Sequence, residues 1–292
     1  MGAVLAALEP VQIASILVKT AMYVGALLAA GSVINLWLLT ELDTPARRRL
    51  RRLAAMSAVA GVVFGALSIP LRAAFLYGGF EGGLDPVMLR IVLFSPLGYS
   101  VGVMTLGLTA VALVALDRRW TGLIALAGVL LVAISFALRG HAISQPRAFL
   151  SLLFVVHILA ASFWIGGFYP LHDMAGRGTT AAARTAEQFG RAALIMVGLL
   201  VLAGATLLWL LAGNPLTALA QPWGQSVALK LVFVAGLLGL AGLNKLRLTP
   251  ALAATGDGGP LRRSIRWEMA VFALILLITA SFTSLVAPEH AG

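Results

Sequence analysis

The chain has 292 residues, of which 60% are hydrophobic and only 11% charged. A soluble domain of this length needs far more charge to cover its surface, so a soluble globular protein is excluded and an all-α polytopic membrane bundle is expected. The formal net charge is +10 and there is no cysteine, which removes disulfides, thiolate metal sites and cysteine nucleophiles.

Apolar runs bounded by charge, Pro and Gly predict eight spans, at about 11–40, 53–78, 91–116, 121–139, 148–171, 190–212, 225–246 and 266–287. The opening MGAVLAALEP has no basic n-region, so the first span itself is expected to direct insertion. Arg47, Arg48, Arg49, Arg51 and Arg52 follow that span. Later alternate loops hold Arg118 and Arg119, then Arg177, Arg184 and Arg191, then Lys245, Arg247, Arg262, Arg263 and Arg266. That places 15 of the 21 basic residues on one side. The positive-inside rule makes this side cytoplasmic and both termini periplasmic, with the whole chain a single transmembrane domain. The basic clusters then serve orientation and lipid contact; without a basic soluble domain, nucleic-acid binding is not expected.

Tryptophan follows the same map. Trp37, Trp120, Trp164 and Trp267 count out near inner helix ends and Trp209 and Trp223 near outer ends, as an interfacial belt requires. The inner connections 172–189 and 247–265 read as Gly/Ala/Thr-rich loops. Four spans followed by four with the same orientation also allow a parallel duplication.

Chemistry concentrates in the fifth span. His157 lies about eleven residues beyond Pro146, hence roughly 16 Å into the membrane. A buried imidazole loses water and needs a partner, so it is either a packing histidine bonded to the next helix or a ligand for metal, haem or protons. Ala160, Ala161, Trp164 and Gly167 continue its helical face and would let a neighbour approach. His141 follows Arg139 and Gly140 at the outer mouth, as a rim side chain or an outer station feeding His157. His172 falls at the inner end beside Asp173, and His290 in the terminal tail.

Met22 and Met104 fall near the depth of His157, as core filler or as soft ligands. Thioether with imidazole suits Cu(I). Lys19, Lys230 and Arg139 lie near the outer boundary, either snorkelling to headgroups or holding an anion such as a haem propionate. Glu268 opens the eighth span, where an acid offsets the helix dipole or pairs with Lys245 or Arg247.

The segments LRGHA (138–142), VHILAASFWIGG (156–167), GLNKLRLTPAL (242–252) and RWEMAVFALILLITASFTSLVAP (266–288) together resemble the copper resistance protein D (CopD) family of bacterial inner-membrane proteins. The resemblance implies copper handling at the cytoplasmic membrane, with a small periplasmic copper-binding partner of the CopC type. By this resemblance His141 and His157 match the motif histidines, Trp164, Gly166 and Gly167 the Trp-Gly-Gly, and Asn244, Pro250 and Glu268 the C-terminal pattern. The expected function is copper transport, with His141 and His157 as ligands aided by Met22 or Met104. The alternative is a b-type haem or quinone redox protein with His157 as axial ligand.

Overall fold

The computed structural model describes residues 9–138, 147–212 and 222–285, which are helical apart from short turns and contain no strand. Helix α1 (Pro10–Leu38) starts with Pro10 at its first position, and Gln12 reaches back to accept from the Glu9 N–H at 3.2 Å. Helix α2 (Thr44–Tyr77) starts on Asp43, whose Oδ1 accepts from the Ala46 N–H at 2.8 Å, and stops at Gly78, where φ is +94°. The arginine cluster 47–52 therefore lies on helix, not in a loop. Arg47 turns back to donate to the Leu36 and Leu39 carbonyls at 3.0 and 3.1 Å, closing the end of α1.

The third span begins later than its hydropathy suggests. A short helix α3 (Pro86–Leu93) precedes it, and α4 (Pro96–Ala112) starts afresh at Pro96. Pro96 lacks an N–H and disfavours helical backbone at Ser95, so the apolar run is cut there. Helix α5 (Arg119–Ala137) and helix α6 (Arg147–Ala175) match spans four and five. Helix α7 (Thr180–Ala212) takes up most of the expected 172–189 loop, because TAAARTAEQ is rich in strong helix formers. Helix α8 (Pro222–Leu243) runs into a π-helical turn (Asn244–Leu248) and then helix α9 (Thr249–Thr255). Helix α10 (Gly259–Leu285) begins seven residues before the predicted eighth span. Most of the 247–265 loop is therefore also helix. Among the described residues, eight helices are long and apolar enough to cross a membrane.

Helix α1 is the axis, packing on α2, α4, α5, α6 and α10. Glycine sets the distances. A Cβ on Gly25 would lie 2.7 Å from the Gly61 nitrogen of α2, and one on Gly31 would lie 1.7 Å from the Ser162 carbonyl oxygen of α6. Lipid offers no hydrophobic gain to helix association, so close backbone packing at small residues has to supply it. Asn35, fully buried on α1, adds hydrogen bonds to the Gly31 carbonyl at 2.8 Å and, across the interface, to the Phe163 carbonyl at 2.9 Å.

At the inner end Arg177 pairs with both Asp43 and Asp173, and Arg49 reaches Asp173 at 3.5 Å. Helices α7 and α8 are packed far less than the rest. Only 11% and 6% of their apolar stretches are buried, against 33–44% in the other six.

Candidate functional site: a three-helix seam above an inner cavity

His157 sits on the inward side of α6, half-buried. Its ring packs over Gly204 of α7, where a Cβ would come within 3.4 Å of the imidazole. The ring faces the Leu200 backbone, and the Lys230 ammonium of α8 lies close enough to act on it electrostatically. Its Nδ1 is buried and has no hydrogen-bond partner. Helices α6 and α7 thus pack around the imidazole, with the charge of Lys230 on α8 acting on it, and the glycine opposite leaves room for the ring.

The faces that meet there continue inward. Trp164 and Leu171 follow His157 at intervals of seven residues on one stripe of α6. On α7, Val197 lies two turns below Gly204; on α8, Leu238 lies about two turns below Lys230. Trp164, Leu171, Val197 and Leu238 all line a cavity of about 770 Å³ in the inner half, between α6, α7, α8, α9 and α10. Its polar residues include Glu268 and Asn244 within, and Arg184, Glu187, Arg191 and Lys245. The loose packing of α7 and α8 is what leaves this space. The stripe from His157 therefore leads into a chamber toward the end of the bundle where basic residues are densest.

Several expectations change here. Trp164 is only 4% exposed and forms a wall of the cavity, so it does not belong to the interfacial belt; Trp37, Trp120, Trp209 and Trp267 are exposed and fit it. The Trp223 side chain lies outside the described residues. Gly166 holds the crossing with α1, since its Cβ would lie 2.1 Å from the Gly31 carbonyl carbon, and Gly167 makes room for the Phe189 ring at the same distance. Both glycines of the Trp-Gly-Gly motif are thus packing residues.

Glu268 is not a surface residue offsetting a helix dipole. It is 4% exposed and is joined by the Asn244 carboxamide, without an ion pair among the described residues. Lys245 turns away and donates to the Gly190 carbonyl at 3.0 Å, and Arg247 is exposed.

Met22 and Met104 do meet. Both are fully buried, and both approach Gly65 of α2, with Met104 Cε 2.8 Å and Met22 Sδ 4.0 Å from where its Cβ would be. This pair belongs to the α1–α2–α4 interface and His157 to the α6–α7–α8 seam. Lys19 donates to the Thr283 carbonyl at 2.9 Å and to Ser284 Oγ at 3.3 Å, tying α1 to the outer end of α10. His172 is half-buried at the inner end of α6, under the influence of Arg262 and Arg266. Arg139, His141 and His290 lie outside the described residues. Among the described residues no three His, Asp or Glu side chains cluster as a metal cage.

The polar groups that hydropathy passed over are Asn35, Ser32 and Ser162, all fully buried near the α1–α6 crossing. A lone Asn in the first apolar run was their only sequence signal.

Comparison with known families divides the chain in two. Residues 183–282 match the family model described as copper resistance protein D, and residues 9–146 match that of the copper resistance protein D-like N-terminal domain. The second match contains the central helix α1, and the first contains Glu268, Asn244, Gly204 and Lys230. No curated protein and no solved structure matches the chain. The haem alternative gains no support from either family.

Proposed function

This chain belongs to the copper resistance protein D family and has a role in copper resistance or handling, and from that premise we propose that it carries copper across the bacterial inner membrane along the α6–α7–α8 seam. The observation that carries the reading is the buried, unpartnered Nδ1 of His157, on a helix stripe that continues into the inner cavity. A neutral imidazole nitrogen with a free lone pair is a good copper ligand, and a site with few ligands releases as well as it captures.

In this reading a CopC-like periplasmic protein presents the ion at the outer mouth, where His141 receives it. His157 takes the ion next, and displacement past Trp164 delivers it to the chamber that Glu268 and Asn244 line. Lys230 repels a resting cation and so favours passage over storage. Met22 and Met104 supply soft sulfur on a different interface, as an auxiliary site or as packing around Gly65. With eight spans both termini share a side, and the distribution of Lys and Arg assigns that side to the periplasm.

Copper uptake into proteoliposomes tests the proposal. Replacing His157 with Ala is expected to lower the initial rate about tenfold or more, as loss of a ligand costs at least ~1.4 kcal/mol. Wild-type flux in that variant would remove the pathway.

A further inference from the structure

The inner cavity, where the proposed copper pathway ends, also holds buried oxygen atoms that suit a soft copper ion poorly. Glu268 Oε1 and Asn244 Oδ1 are both buried and both lack a hydrogen-bond partner, although the two side chains contact each other through the Asn244 carboxamide. Buried acceptors without donors are costly, so two of them on adjoining elements at one cavity point to a missing positive or donating occupant.

The backbone is unusual at the same place. Asn244 opens the π-helical turn that interrupts the seventh span between α8 and α9. The chain stays helical through this turn, where the Thr249 N–H donates to the Asn244 carbonyl, and π-helical turns are frequent at functional sites.

We propose that Glu268, Asn244 and the adjoining π turn form a site for a small, hard monovalent cation, with sodium as the probe ion. Carboxylate and carboxamide oxygens suit hard cations, whereas Cu(I) prefers sulfur and imidazole. One carboxylate balances one positive charge. A divalent ion would leave excess charge in a chamber that Arg184, Arg191 and Lys245 also line. Those three do not fill the site: Lys245 is bonded to Gly190, Arg191 to Glu187 at 3.1 Å, and Arg184 is exposed.

The test uses the full chain in detergent micelles. Its unfolding temperature is measured in sodium chloride against choline chloride at equal ionic strength, and radiolabelled sodium binding at equilibrium is measured alongside. Sodium is expected to raise the wild-type midpoint with a saturating dose response, because a ligand bound only by the folded state stabilises it. Glu268→Gln keeps the side chain's shape and is expected to weaken sodium binding about tenfold or more, equivalent to ~1.4 kcal/mol, with an unchanged midpoint in choline. Asn244→Leu removes the second oxygen and should act in the same direction. His157→Ala should retain the sodium response, which separates this site from the copper ligand. Equal wild-type midpoints in the two salts, or sodium affinity in both cavity variants equal to wild type, would overturn the assignment.

Discussion

Asn35 shows how much a single polar side chain can do inside a membrane bundle. Its Nδ2 serves two backbone carbonyls, one on its own helix and one across the interface on α6. Asn35→Leu keeps the volume, forfeits both bonds and leaves the Phe163 carbonyl without its donor. The expected loss is about 1–3 kcal/mol of stability, measured by denaturant unfolding in micelles. Lys19 acts in the same way at the outer end, where its ammonium donates to the Thr283 carbonyl and the Ser284 hydroxyl near the end of α10. His157 is the contrasting case: its partner-free nitrogen is what the proposed copper pathway requires, so under that proposal its replacement should affect flux more than stability.

The helix crossings decide which elements can move. At the α1–α6 crossing Gly31 and Gly166 bring the two backbones together, and a side chain at either would collide with main-chain atoms, which have little freedom to yield. Gly166→Leu should therefore destabilise the bundle by about 1–3 kcal/mol or more and lower the folded yield, as read by monodispersity in size-exclusion chromatography. The same substitution at Gly236, where a Cβ would meet nothing within 4 Å, is the matched control and should be tolerated. Helices α7 and α8 have few such contacts, so displacement of either alters the cavity without breaking the core formed by α1, α2, α5 and α6.

For the molecule as a whole, the absence of cysteine makes orientation directly measurable. Single cysteines at exposed positions are expected to label from opposite sides, Glu81→Cys from the periplasm and Asp257→Cys from the cytoplasm, with a membrane-impermeant maleimide as the reagent. Labelling of both from one side would refute the assigned topology. The inner ion pairs of Arg177 with Asp43 and Asp173 join the start of α2 to the end of α6 on the face where basic residues are densest.

Hydropathy and charge alone determined the fold class and the eight spans, and the motif segments around His141, His157, Asn244 and Glu268 carried the family resemblance. Transfer of apolar helices out of water, and the bias of Lys and Arg between the two sides, act on each segment almost independently of its neighbours. Helix ends escaped because Ala-rich or Arg-rich stretches such as 180–189 and 47–52 stay helical beyond the apolar boundary. Which residues meet was decided only in three dimensions. Depth counting put Met22, Met104 and His157 at one level, yet helix arrangement sends the two thioethers to Gly65 and the imidazole to Gly204. Glu268 reads as a surface acid by position, but the π-helical turn of the seventh span packs beside it, and it lines a chamber. Depth depends on position along a helix, whereas neighbourhood depends on the rotation and crossing of every helix around it, which no single segment encodes.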